Sequence, residues 1–297
     1  MATTDGNVRV HRHTELLDWF GRRQRDLPWR RTRDPWAVLV SELMLQQTQV
    51  SRVLPKYEAF LGRWPTVASC AAAPLGEVVT AWAGLGYNRR AVNLHRCAQQ
   101  VVAEHAGRLP EDLGALMALP GIGPYTARAI LAFAFESDED GVLDTNAARV
   151  LARWSARTLG PKEAQELADR SVAPSAGWAW NQAMLDLGAT VCIPRTPRCD
   201  ECPVASWCGW HSAGLLAPDP AVGSAGASTG QSVFAGSDRQ GRGRLVDALR
   251  LAPVSAANLA AAMGWPDDAD RARRVALTVV ADGLAAVDDL GTHHLPT

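Results

Sequence analysis

Four cysteines, two carboxylates and a glycine-rich turn are the residues of this 297-residue chain whose types and spacing point to chemistry. The cysteines run Cys192-x6-Cys199-x2-Cys202-x5-Cys208. Four thiols so close together, in a chain whose start has no secretory signal, indicate a metal site rather than disulfides. Thiolates suit zinc or an iron–sulfur cluster. A zinc ribbon usually has two Cys-x2-Cys knuckles; the single knuckle here, followed by Pro203, favours a 4Fe–4S cluster and leaves zinc open. Arg195 and Arg198 in the same loop would project cations toward a phosphate. Cys70 and Cys97 fall inside helical patterns and read as small core residues.

Glu42 lies in WAVLVSELMLQQTQV with Val38, Leu39 and Leu45 at helical spacing around it. A carboxyl desolvated in this way keeps its proton near neutral pH, as a general acid must. The alternative is a glutamate whose head reaches solvent past apolar neighbours. Asp144, in GVLDTNAARVLARW, stands just before a helix. That position reads as an N-cap, and it would keep the carboxylate ionised. An acid and a fixed anion together suit hydrolysis of a glycosidic bond, where positive charge grows on the sugar. Between helices at 112–119 and 125–136 lies Pro120-Gly121-Ile122-Gly123-Pro124. Its glycines allow backbone N–H groups to converge on an anion at a helix N-terminus. This is how a helix-hairpin-helix grips a DNA phosphate without reading sequence; an ordinary αα-hairpin is the plainer alternative.

The elements that must position these groups are helical. Apolar positions recur at helical spacing in 35–47, 52–61, 75–83, 89–104, 112–119, 125–136, 146–158, 163–172 and 178–189, and alternating strand patterns are scarce. Residues 14–210 are therefore expected to form an all-α domain after a flexible 1–13. The small residues of 211–237 predict a flexible linker. Residues 238–297 predict helices near 243–251, 255–263 and 269–283 and then a hairpin, the outline of a winged helix. Such a module contacts DNA or another protein, and the sequence does not choose. Composition is that of a soluble globular protein, 47% apolar and 21% charged, with no apolar run approaching the ~20 residues that span a bilayer. The net charge of −1 hides a local surplus: eight arginines between Arg9 and Arg33 stand against Glu15, Asp18 and Asp26. Such a patch can follow phosphates, and a solvated helix face is the equal alternative.

In order along the chain, LPWR (27–30), SELMLQQTQV (41–50), GLGY (84–87), LPGIGPYTA (119–127), LDTN (143–146), NQAMLDLGA (181–189) and the cysteine loop (192–208) closely resemble the adenine DNA glycosylases of the MutY family, within the helix-hairpin-helix DNA glycosylase superfamily. The resemblance covers roughly residues 14–210. It implies an all-α, two-lobed helix-hairpin-helix fold with a 4Fe–4S cluster on Cys192, Cys199, Cys202 and Cys208. It implies a base-excision-repair enzyme that flips adenine out of double-stranded DNA, opposite 8-oxoguanine or guanine. Glu42 matches the acid that protonates adenine N7, and Asp144 the carboxylate that stabilises the oxocarbenium ion. Tyr125 and Asn146 match residues that position these groups and the attacking water. Leu27, Trp29, Arg30 and Gln182 resemble the walls of the adenine pocket. Gln47 and Tyr87 match side chains that wedge into the base stack, with Thr48 and Leu85 beside 8-oxoguanine. Gly121, Ile122 and Gly123 match the phosphate-binding hairpin.

Related thymine-glycol glycosylases cleave the strand through a lysine Schiff base placed just after the hairpin. Here that position is Tyr125, and the only lysines, Lys56 and Lys162, fall outside the motifs. A monofunctional glycosylase is expected. A thymine mismatch glycosylase of the same fold and a non-catalytic, redox-sensing DNA-binding protein are the competing readings. The second would not need both Glu42 and Asp144. Residues 238–297 are too short for the Nudix-like domain usual in the family, and Asn88 stands where the family has a second tyrosine. A monomer, cytoplasmic and associated with a prokaryotic nucleoid, with no membrane partner, is expected.

Overall fold

The computed structural model describes residues 2–226 and 233–297, with side chains from Arg12 onward. The chain is helical almost throughout, as the periodicity predicts. In order it forms α1 (Ala2–Arg23), α2 (Pro35–Leu45), α3 (Val50–Arg63), α4 (Val67–Ala71), α5 (Leu75–Ala81), α6 (Arg89–Glu104), α7 (Leu113–Met117), α8 (Pro124–Ala134), α9 (Thr145–Ser155), α10 (Pro161–Ser171), α11 (Gly177–Thr190), α12 (Gly209–Ser212), α13 (Asp238–Leu249), α14 (Leu259–Met263) and α15 (Ala269–Ala281). Strands β1 (Ala286–Val287) and β2 (His293–His294) then pair antiparallel, with Ala286 opposite His294. Among the described residues no helix is long and apolar enough to cross a membrane.

The chain divides into two compact units, each made of two separate stretches. One unit comprises 1–35 and 123–230; the other comprises 36–122 and 231–297. The first unit packs α9 against α10, α11 and α12, with α11 also meeting α1 and α8. Its core is built from Leu16, Phe20, Val150, Leu151, Trp154, Trp180, Met184 and Leu187. Removing such side chains from water stabilises the unit by roughly 1.5–3 kcal/mol each. Part of the segment expected to be a linker is fastened here. Asp219 pairs with the buried Arg153 at 2.6 Å, the Ala225 N–H donates to Leu159 O at 2.8 Å, and the Ser224 hydroxyl accepts from the Leu159 N–H at 3.0 Å. Low apolar periodicity concealed this, because one ion pair and two backbone anchors do the holding. Residues 227–232 of that segment lie outside the described residues.

The second unit packs α4 and α5 on α6, and bundles α13, α14 and α15 together. Val254 bridges to His293, adding a short third edge to the β1–β2 hairpin. Three helices and this hairpin match the winged-helix outline. The module does not stand apart from the rest of its unit. The Gly76 N–H donates to Pro296 O at 2.8 Å, a separation only a glycine at 76 allows. Arg250 reaches from α13 to Val79 O at 2.9 Å and to the Asn88 side chain at 3.0 Å. Asn88, where the family has tyrosine, thus accepts a bond from the C-terminal module.

Candidate active site and cluster loop

In the first unit Asp144 caps α9 as its position predicts. Its carboxylate accepts hydrogen bonds from the N–H groups of Asn146 (2.8 Å) and Ala147 (2.7 Å), and from the Asn146 side-chain amide (2.8 Å). Burial nevertheless pushes its carboxyl above the ordinary aspartate value, against those bonds and the nearby Arg149 charge. The expectation from capping alone, a carboxylate simply held ionised, omitted the protein packed around it. Gly188 lets α11 approach closely, since a Cβ there would meet the Asn146 Cβ at 2.6 Å.

Arg149, which the sequence reading passed over, ties this corner together. Its guanidinium donates to Asn146 Oδ1 at 2.8 Å, Gly188 O at 2.6 Å and Cys192 O at 2.7 Å. The only sequence signal was its place one turn beyond Asn146 on the helix face. It links the first cysteine of the loop directly to the Asp144–Asn146 pair.

Leu27 and Trp29 are buried on the turn Pro28–Arg30, and Gln182 is buried on α11. Arg30, on the same turn, is buried as well. It makes a bidentate pair with Asp186 at 2.8 Å to each oxygen, and Arg25 adds a 2.6 Å bond to the same carboxylate. Burial alone would raise Asp186; the bonds and charges of Arg30 and Arg25 outweigh it and hold the carboxyl below its ordinary value. Tyr125 is half-buried in the first turn of α8. In the turn before it, Gly121 has φ +80° and lies so close to Asn93 that a Cβ would meet that side chain at 2.7 Å. The Ile122 N–H donates to Leu119 O, and Gly123, with extended backbone, caps α8.

The four cysteines surround one small cavity of about 20 Å³, closed by Trp154, Leu187, Val191 and Trp210. Among the described residues no group of three or more His, Cys, Asp or Glu is drawn together to hold a single metal ion. Four cysteines lining one cavity suit an iron–sulfur core. Burial pushes the Cys202 thiol up to about 12 and raises Cys199 and Cys208 as well, so loading the site must expel protons. Arg153 offsets thiolate charge, with a 3.3 Å contact to Cys192 Sγ and bonds to the carbonyls of Ile193 (2.9 Å) and Pro194 (2.8 Å). The donor set, the neighbouring cation and the apolar closure all fit the cluster. Cys70 and Cys97 are fully buried core residues, as expected.

In the second unit Glu42 is 6% exposed in a helix buried along nearly its whole length. The exposed-head alternative is thereby excluded. Gln47 and Tyr87 both stand exposed on left-handed backbone, with φ of 54° and 45°, a conformation uncommon outside glycine and kept where surroundings enforce it. Arg90 bonds to the backbone beside both, including Tyr87 O at 3.4 Å. Its guanidinium donates to the carbonyls of Leu43 (2.7 Å), Met44 (2.9 Å), Gln46 (2.6 Å), Leu85 (3.1 Å) and Gly86 (2.9 Å), and to Thr48 Oγ1 at 3.0 Å. Thr48 in turn donates to Leu85 O at 3.1 Å. Gln47, Thr48, Leu85 and Tyr87 line one groove of this unit, while the Leu85 side chain is mostly buried.

Comparison with known proteins agrees with this geometry. Residues 40–174 match the HhH-GPD superfamily of base excision DNA repair proteins, and residues 192–208 match the iron-sulfur binding domain of endonuclease III. The chain is 41% identical to an adenine DNA glycosylase of Mycobacterium tuberculosis, over 95% of this chain and 93% of that one. It is 43% identical to that of Mycolicibacterium smegmatis over 91% of each. The human adenine DNA glycosylase is 41% identical over 73% of this chain and 44% of its own. A solved thermostable thymine-DNA glycosylase superposes with a TM-score of 0.64 at 27% identity, covering 70% of this chain and 99% of that one. A trapped endonuclease III–DNA intermediate shares the fold, with a TM-score of 0.58 at 22% identity over 68% of this chain and 95% of its own. Helical architecture, cysteine loop and relatives matched over nearly the whole length agree: the chain belongs to the adenine DNA glycosylases, iron–sulfur hydrolases of N-glycosyl bonds in base excision repair.

Proposed function

We propose that this enzyme removes adenine mispaired with 8-oxoguanine or guanine in double-stranded DNA, and that it is monofunctional. The observation that carries the reading is the setting of Asp144, three hydrogen-bond donors converging on one carboxylate at the start of α9. Such a cradle suits an anion that must face growing positive charge on a sugar. The buried Glu42 supplies the complementary acid.

In this mechanism Glu42 gives its proton to adenine N7. The C1′–N9 bond then breaks, and its electron pair leaves with the base. Asp144 balances the oxocarbenium charge, and water adds to C1′, losing its proton to a carboxylate. Asn146 fixes Asp144, and Tyr125 orients the reacting groups. Leu27, Trp29 and Gln182 enclose the flipped adenine. Arg30 serves the pocket by fixing the turn that carries Leu27 and Trp29. Gln47 and Tyr87 enter the base stack, Thr48 and Leu85 stand by the opposite base, and the Gly121–Ile122–Gly123 hairpin offers the N–H groups of Gly121 and Gly123 to a phosphate, that of Ile122 being bonded to Leu119 O. Cys192, Cys199, Cys202 and Cys208 would hold the cluster, which contributes a cross-link that orders the loop. The enzyme acts as a monomer on nucleoid DNA in the cytoplasm, with a glycosylase core over 14–210 and residues 238–297 as an accessory module.

Single-turnover excision on A:8-oxoguanine, A:G, A:C and T:G duplexes tests the reading. Fast release of adenine from the first two, with no borohydride-trapped enzyme–DNA complex, is expected. Dominant thymine release would favour the mismatch alternative, and abundant trapping would overturn monofunctionality.

A further inference from the structure

Within the second unit, the loops carrying Gln47 and Tyr87 are not the whole of their groove. Its far wall is α13 and the segment before it, contributing Phe234, Arg239, Arg242 and Arg250. The open volume is about 750 Å³, ample for a stretch of backbone. Six arginines and one aspartate line it, a net of +5 in a chain whose total is −1. Counting Asp282 behind the wall, which pairs with Arg89 and Arg242, still leaves +4. Arg90 and Arg250 are committed to carbonyls and hold the walls in place. Arg52 stands exposed on α3, and Arg239 lies over the Phe234 ring at 5.4 Å. Phe234 itself is 54% exposed, an aromatic face open beside cations, as stacking on a sugar or base requires.

We propose that this groove holds the sugar–phosphate backbone of the DNA, with Arg52 and Arg239 contacting phosphates from opposite walls and Phe234 packing against a sugar or base. The C-terminal module is then a DNA clamp, not a docking site for another protein. The proposal rests on the reading of the enzyme as one that acts on mispaired duplex DNA. Charge complementarity selects a polyanion as occupant. The shared lining with Gln47 and Tyr87 makes the polyanion the same duplex.

The test uses the full chain with Arg52→Gln, Arg239→Gln, their combination and Phe234→Ala, Arg52 and Phe234 being exposed and Arg239 half-buried. Binding to a mispaired and to a fully paired duplex is measured by fluorescence anisotropy across a salt series, with thermal melting as a control for folding. Each arginine variant is expected to weaken both duplexes about 3–10-fold and to lower the slope of log K against log salt by about 1. Phe234→Ala is expected to weaken binding without changing the slope. Wild-type affinity and slope in the double variant would overturn the proposal, including the case where a protein partner occupies the groove. Loss of affinity in the variants of an enzyme that excises no adenine would sink the functional reading and leave the groove standing.

Discussion

Arg90 is the residue whose replacement most directly tests how the second unit presents Gln47 and Tyr87. Its guanidinium is buried and serves seven acceptors, on the end of α2 and on the two loops that carry Gln47 and Tyr87. Burial pulls its pKa down to about 10, so the charge persists at neutral pH. Bonds to a charged group contribute roughly 1.5–3 kcal/mol each, yet the sum is not recoverable. The guanidinium gives up its own hydration, and water can reach some carbonyls once it is gone. A net destabilisation of about 3–5 kcal/mol is expected for Arg90→Met. At about 2–4 °C per kcal/mol for a chain of this order, melting should fall by about 10 °C. Arg90→Lys keeps the charge but has three donors on one nitrogen, and should recover only part of the loss. Denaturant unfolding gives the stability; anisotropy with mispaired duplex gives the consequence for binding, a loss of about tenfold as the left-handed residues relax. Wild-type melting together with wild-type affinity in Arg90→Met would refute the reasoning.

Other replacements separate chemistry from scaffolding. Glu42→Gln should abolish adenine release in single-turnover assays while mispaired DNA still binds near normally; retained excision would remove Glu42 from the acid role. Asp186→Asn breaks a buried cluster with Arg30 and Arg25 and should cost about 3–5 kcal/mol at neutral pH. Because the folded carboxyl lies below its unfolded value, near 3.9, its stabilisation is complete above that value and is lost as pH falls through the folded one. The variant's unfolding curve should therefore be flatter in that acid range, and an unchanged acid limb would count against the pairing. Arg149→Ala should slow excision severalfold while the visible absorbance of the cluster remains. Equal rates would show that Asn146 and Asp144 keep their places unaided.

Local features of the site were legible wherever sequence neighbours decide them. The apolar run around Glu42 made its burial one of two readings, and the residues after Asp144 pointed to its cap. Cys70 and Cys97 read as core and are core. What the sequence withheld depends on distant partners. The ion pair of Arg30 could not be read because nothing nearby reveals Asp186, which lies 156 positions away. Arg90 and Arg149 carried no signal of their partners, since a cation reaching bare carbonyls leaves no charge partner to find. The upward displacement of Asp144 comes from packing, which no cap rule includes. The 211–226 stretch looked unstructured because small residues dock through hydrogen bonds rather than an apolar stripe.

The interleaving of the two units bears on how the molecule is made. Each unit closes only when a stretch from later in the chain joins an earlier one, 1–35 with 123–230 and 36–122 with 231–297. On the ribosome, residues 36–122 must wait through the synthesis of more than a hundred further residues before α13, β2 and Pro296 arrive to complete their fold. At roughly 5–20 residues per second that delay is on the order of ten seconds. During it the surfaces later covered by α13 and the terminal strand are open to chaperones, to proteases and to neighbouring nascent chains. A nonsense change in the codons for 238–297 would therefore be felt as an unfinished fold of the unit that 36–122 begins.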